Sequence, residues 1–238
     1  MGEPLLTIHK LFSGYADLPV IEGVSLSIDV GQFVAIVGPN GHGKTTLLKT
    51  ISGLTPVREG HIVFAGDDIT GQRADRTVEA GVVHVPQGDL LFPDMTVREN
   101  LLMGAYTPEA GKQAAARLEE VFALLPKLRE RQQQIASTLS GGERRMTGIG
   151  RGLMAGGRLL MLDEPSLGLA PIIIDQIYEL IDRLKEAGRT ILLVEENATR
   201  IAERVDRVYL LDNGRFIWEG SGDELMRRRE IVDVYLGG

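Results

Sequence analysis

Two hydrophobic periods alternate along this 238-residue chain. Short runs that are apolar at nearly every position occur at "QFVAIVG" (32–38), "RLLMLDEP" (158–165) and "TILLVEENA" (190–198). Such runs fit strands buried on both faces of a parallel sheet. Helix-like segments lie between them. "TTLLKTISGL" closes at Gly53, and Ile173, Ile174, Ile177, Leu180, Ile181 and Leu184 recur at helical spacing before a stop at Gly188. "HIVFAGDDI" (61–69) predicts a strand with a Gly-Asp turn in an N-terminal part rich in short strands. A further helix is expected around 198–205, and Asn213-Gly214 in "VYLLDNGRFIWEG" predicts a hairpin. From about 96 to 155 the pattern is helical, with "EAGKQAAARLEEVFALLP" its clearest amphipathic piece. The alternation implies an α/β fold with a helical insertion and one domain of two lobes.

Composition narrows the classes. The hydrophobic share of 43%, the charged share of 25% and a net charge of −7 are those of an ordinary globular domain, and the acidic balance argues against a nucleic-acid partner. Basic clusters at Arg144–Arg145 and Arg227–Arg228–Arg229 each sit beside acids. There is no cysteine, hence no disulfide framework or thiol chemistry, and His9, His42, His61 and His84 lack metal-ligand spacing. No apolar run approaches the roughly 18 residues needed to span a bilayer, and "MGEPLLTIHK" does not have the pattern of a signal peptide. A role at a membrane would therefore require another chain to carry this one there.

The chemistry is concentrated at strand ends. "GPNGHGKTT" (38–46) fits the pattern G-x-x-x-x-G-K-[ST] after a strand and at the opening of a helix. Gly41 and Gly43 let backbone N–H groups close around phosphate oxygens, and the helix start adds a favourable dipole. Lys44 can reach the β and γ phosphates, and the Thr45 hydroxyl can ligate Mg²⁺. The second half of such a site is a strand ending in aspartate, supplied by "LLMLDE". Asp163 would hold Mg²⁺, and Glu164 is placed to polarise an attacking water. With no Asn-Lys-x-Asp motif for guanine, the chain reads as a nucleoside triphosphatase other than a GTPase.

"LSGGE" (139–143), together with "GPNGHGKTT" and "MLDEP", resembles the ATP-binding-cassette family over essentially the whole chain and in the family's motif order. The resemblance implies a P-loop NTPase (RecA-like) core with an N-terminal antiparallel β subdomain and an inserted helical subdomain. It fits one domain over 1–238, with the core at about 1–88 and 156–238 and the helical subdomain at about 89–155. ATP and Mg²⁺ are the implied ligands. Tyr15 matches the aromatic that stacks on adenine, and Gly38, Pro39, Asn40, Gly41, His42, Gly43, Lys44, Thr45 and Thr46 form the cradle. Gln87 in "HVPQG" matches the Q-loop that senses Mg²⁺, and "PSLGLAP" (165–171) matches the loop crossing the dimer interface. Ser140, Gly141, Gly142 and Glu143 would act in trans, facing the γ-phosphate held by a second ATPase subunit. "LLFPDMTVRENL", "PSLGLAP" and the terminal "VYLGG" look like ATPase subunits of branched-chain amino acid importers and of the similar urea and amide importers; "LSGGERR" is also similar to lipopolysaccharide-type exporter ATPases. The implied setting is peripheral, on the cytoplasmic face of the membrane. A second ATPase subunit, two permeases and an extracytoplasmic binding protein are the implied partners. ABC proteins acting on DNA or ribosomes usually carry a long coiled coil between cradle and signature or two cassettes, and neither is present between Lys44 and Leu139 or elsewhere.

Three positions depart from the family pattern. His42 stands where a small residue is usual, and no role is assigned to it. Gly148, Gly150 and Gly152 stand where relatives typically have alanine. Each costs a helix interior roughly 0.8–1 kcal/mol. The segment is expected to be easier to deform, so that triple alanine replacement raises thermal stability; close packing is the alternative. Finally, Glu196 occupies the position of a histidine that hydrogen-bonds the γ-phosphate, where a carboxylate would repel phosphate oxygen. Either Glu196 turns away, leaving a weakened site beside a partner subunit that retains histidine, or it works through a water beside Glu164.

Overall fold

The computed structural model describes residues 3–16, 18–88 and 90–228 of the chain. The terminal "VYLGG" lies outside the described residues, as does Arg229. The elements run β1 (Leu6–Tyr15), β2 (Leu18–Ile28), β3 (Phe33–Val37), α1 (Lys44–Ile51), β4 (Val57–Phe64), β5 (Asp67–Asp68), α2 (Ala74–Ala80) and β6 (Val82–Val85). Then follow α3 (Val97–Leu102), α4 (Pro108–Lys112), α5 (Ala114–Leu124), α6 (Pro126–Glu130) and α7 (Gly141–Met154). The chain continues through β7 (Leu159–Asp163), α8 (Pro171–Glu186), β8 (Thr190–Glu195), β9 (Arg207–Asp212), β10 (Arg215–Gly220) and α9 (Gly222–Arg227).

The continuous apolar runs form the centre of a sheet ordered β10-β9-β3-β8-β7-β6, parallel from β9 to β6 with β10 antiparallel at one edge. Successive residues of a strand point to opposite faces, and both faces are buried here. Phe33, Ala35 and Val37 of β3 enter one core, with Leu160 and Leu162 of β7, Ile191 and Leu193 of β8, and Ile177, Ile181 and Leu184 of α8. Val34 and Ile36 enter the other, with Leu192, Val194, Leu47 and Leu48, and with Leu6, Ile8 and Leu11 of β1. That second core is closed by an antiparallel sheet ordered β2-β1-β4-β5. Each fully buried Leu or Ile contributes roughly 1.5–3 kcal/mol, so the sheet is held from both sides. The fold is thus a mixed α/β P-loop NTPase fold.

Helices α3 to α7 lie between β6 and β7 in the chain, with α3, α5 and α6 packed on α7. One expectation fails and a second is opposed by packing. No helix spans 198–205: Ala198–Arg200 form a single 3-10 turn capped by Asn197 Oδ1, which accepts from the Thr199 N–H at 2.9 Å. The end of this stretch is drawn to the sheet, where the Asp206 N–H donates to Phe33 O at 2.8 Å. Nor are Gly150 and Gly152 relaxed points in α7. A Cβ on Gly150 would lie 2.8 Å from Leu101 Cδ2, and one on Gly152 would lie 2.5 Å from Val85 Cγ2. Close packing accounts for both glycines and argues against a gain from alanine at these positions.

Candidate functional site

The parallel strands end at one edge of the sheet, and the polar motifs follow from those ends. β8 lies between β3 and β7. The glycine-rich loop after β3 and the acids after β7 therefore flank the tip of β8, with Gln87 beyond β6 on the far side. A crevice at the carboxyl ends of parallel strands is the usual ligand position in such sheets.

The loop's shape requires glycine at Gly43, the N-cap of α1, whose φ is 105° and where a Cβ would meet Ile21 Cδ1 at 2.9 Å. Asn40, Gly41, Gly43, Lys44, Thr45 and Thr46 line a cavity of about 310 Å³ together with Gln87, Glu164 and Val20. Lys44 is 3% exposed, and its Nζ donates to Gly38 O at 2.9 Å and Pro39 O at 3.1 Å while pairing with Glu164 Oε1 at 3.1 Å. Gln87 Nε2 donates to Glu164 Oε2 at 3.0 Å. Glu164 has φ 45°, an uncommon left-handed value outside glycine, and its N–H is held by Val194 O at 3.0 Å. The general-base candidate is therefore gripped by a lysine, a glutamine and the neighbouring strand.

Beside it, the Thr45 hydroxyl donates to Asp163 Oδ1 at 3.0 Å, whereas Asp163 Oδ2 is buried without a partner. Burial first, and then the Glu164 charge, push the Asp163 carboxyl above its ordinary value, against the Thr45 bond and the Lys44 charge. An orphaned carboxylate oxygen beside a hydroxyl is a hard-oxygen donor set, which suits Mg²⁺. No cluster of three or more His, Cys, Asp or Glu residues able to hold a metal occurs among the described residues. Such a donor set fits Mg²⁺, an ion usually held by one or two carboxylates with phosphate and water completing its shell.

The remaining candidates are spread more widely. Tyr15 ends β1 and is 45% exposed. His42, given no role from sequence, ties the loop to the β9–β10 turn: its Nδ1 lies 2.8 Å from Asp212 Oδ1, and its carbonyl accepts from the Gly214 N–H at 3.0 Å. Glu196 is exposed and accepts from Asn40 Nδ2 at 2.9 Å. Ser140 caps α7 and Glu143 completes a capping box, with Ser140 N–H donating to Glu143 Oε2 at 2.9 Å. Ser140, Gly142 and Glu143 do not line the cradle's cavity but a separate groove of about 450 Å³. Three participants escaped sequence reading. Val20 lies in an ordinary strand, Asp212 is distant in sequence from His42, and Glu195 is masked by its neighbour Glu196. Adjacent acids at a buried strand tip were the available signal for the last.

The ABC transporter family profile matches residues 21–167. The chain belongs to the ABC transporter family. This cassette is 39% identical to the high-affinity branched-chain amino acid transport ATP-binding protein BraG of Pseudomonas aeruginosa, covering 98% of this chain and 100% of the relative. It is 31% identical to the lipopolysaccharide export system ATP-binding protein LptB of Haemophilus influenzae, covering 98% and 97% respectively. Among solved structures, the ADP conformation of MJ1267, an ATP-binding cassette of an ABC transporter, superposes with TM-score 0.84 at 28% identity and 98% coverage of both chains. No helix among the described residues is long and apolar enough to cross a membrane.

Proposed function

We propose that this cassette is the ATP-hydrolysing subunit of an importer for branched-chain or related amino acids. The observation carrying the catalytic assignment is the convergence of Lys44, Thr45, Asp163, Glu164 and Gln87 at one end of the sheet. In this reading the loop 38–46 cradles the phosphates and Tyr15 supports adenine. Lys44 exchanges Glu164 for the β and γ phosphates, releasing the carboxylate to accept a proton from the attacking water. Gln87, now bonded to Glu164, orients that carboxylate or turns to the metal. Thr45 and Asp163 hold Mg²⁺, which when bound neutralises developing phosphate charge. Greater similarity to BraG than to LptB favours import of amino acids over lipopolysaccharide export.

The separation of Ser140, Gly142 and Glu143 from the cradle's cavity supports their service to a second subunit's nucleotide. A glycine-rich helix start offers N–H groups to a phosphate. Glu143 contributes by fixing Ser140 rather than by reaching outward. The single domain would divide into a core at about 1–88 and 156–238 and a helical subdomain at about 89–155. Between them lies a groove of about 410 Å³ lined by His84, Pro86, Leu90, Phe92, Met103 and Tyr106, the last four of which are exposed apolar side chains. Arg151 of α7 donates to Leu90 O at 2.8 Å, and Arg145 donates to Gly88 O at 3.0 Å, so the Gln87 loop and the signature helix are tied together. This patch is suited to a membrane permease, which would place the cassette peripherally at the cytoplasmic face. An extracytoplasmic binding protein would complete the importer.

The experiment is Glu164→Gln in the full chain. An ATP-bound dimer that does not turn over, detected by light scattering with Mg·ATP, is expected. Turnover at the wild-type rate removes Glu164 from the role of base.

A further inference from the structure

The two acids at the tip of β8 go opposite ways. Glu196 is exposed and bonded to the cradle's Asn40, whereas Glu195 is 3% exposed. Glu195 Oε1 accepts from the Ser166 N–H at 3.3 Å and from the Tyr178 hydroxyl at 3.0 Å. Ser166 follows Glu164 by two residues, and Tyr178 lies on α8, the helix that the loop 165–171 enters. Burial, aided by the Glu195 charge, pushes the Tyr178 phenol up, so it remains a donor. Burial also pushes the Glu195 carboxyl up, against the bonds from Ser166 and Tyr178.

Placing a carboxylate there is costly, and the cost is offset only because two buried donors meet it. What the carboxylate provides is a shared acceptor. Val194 O takes the Glu164 N–H and the next residue takes the Ser166 N–H, so consecutive β8 residues bracket the turn at Pro165. Glu164 sits in that turn at φ 45°, a conformation that persists only when its surroundings over-determine it.

We propose that Glu195 is a positioning residue. Through Ser166 it holds the Glu164–Pro165 turn in its strained form, and through Tyr178 it ties that turn to α8, so that the base and the loop crossing between subunits move as one piece. This rests on the reading of Glu164 as base and of 165–171 as the intersubunit loop. The test compares E195A, E195Q and Y178F in the full chain as purified. E195A should lower kcat for Mg·ATP about tenfold or more while KM stays within about threefold. E195Q keeps an acceptor oxygen and should stay within about threefold of wild type in kcat, with Y178F between the two. Deuterium exchange at the Ser166 amide should rise about tenfold in E195A and stay near wild type in E195Q. Wild-type kcat in a folded E195A overturns the proposal, as does a loss shared equally by KM, or an E195Q as inactive as E195A. If E195A does not fold, a Y178F with wild-type kcat overturns it. E164Q run in parallel separates the two readings: turnover in that variant removes the base, while Ser166 exchange reports on the clamp by itself.

Discussion

Gly152→Ala sets helix propensity against packing within one residue. In an isolated helix the change would stabilise by roughly 0.8–1 kcal/mol. Here the added Cβ would lie 2.5 Å from Val85 Cγ2, 3.6 Å from Val83 Cγ1 and 3.8 Å from Leu160 Cδ1. Val85 is β-branched on a buried strand, so its side chain has few rotamers into which to retreat. Inserting a methyl into such a site typically costs about 1–3 kcal/mol. Subtracting the propensity gain leaves a net loss of roughly 0–2 kcal/mol, and the stiffness of Val85 puts it in the upper part of that range, because α7 must move off β6 by several tenths of an ångström. For a domain of this size that is a fall of up to roughly 8 °C in Tm. The assay is a thermal melt of Gly152→Ala, Val85→Ala and the double variant. Val85→Ala alone should destabilise by leaving a cavity, and the double variant should lie above the sum of the singles by about 1 kcal/mol, since each change accommodates the other. A Gly152→Ala protein that melts at or above wild type, with additive singles, would refute the packing argument and restore the view of α7 as a loosened helix.

Two further outcomes are expected. Burial, with the Lys49 charge, lowers the His84 imidazole from 6.5 to about 4. The Ser52 hydroxyl donates to Leu48 O, so at 3.0 Å it accepts from His84 Nδ1–H and leaves Nε2 buried without a partner. A proton on Nε2 would find no acceptor in the fold. Because the folded value lies below the unfolded one, stability is present above about pH 6.5 and is lost as pH falls toward 4, by up to about 3 kcal/mol. Denaturant titrations from pH 7.5 to 4.5 should show this slope in wild type and a shallower one in His84→Gln; identical slopes would exclude His84 as its source. Glu196→His is expected to raise ATP turnover severalfold in the assembled transporter by replacing a carboxylate that repels phosphate with a donor. An unchanged rate would mean that Glu196, held by Asn40, stays out of the reaction.

The sequence determined the elements and most of the chemistry. Runs such as "FVAIV" and "LLML" are apolar at every position because β3 and β7 are covered on both faces, so their periodicity revealed the parallel sheet directly. The cradle was equally readable because its residues are contiguous and each answers to phosphate geometry. Local signals misled where tertiary forces outweighed them. At 198–205 the pull of β9 back to the sheet left only a single 3-10 turn. In α7 the glycines, read as weak helix formers, proved to be contact points whose partners Leu101 and Val85 come from α3 and β6. Only the tertiary structure decided which strand end lies beside which. Strand order is set by crossovers between segments far apart in the chain, and it places β8 between the cradle and the acids. It also gave the two glutamates of "LLVEEN" unlike surroundings: because side chains alternate along the strand end, Glu195 is turned inward to Tyr178 and Glu196 outward to Asn40.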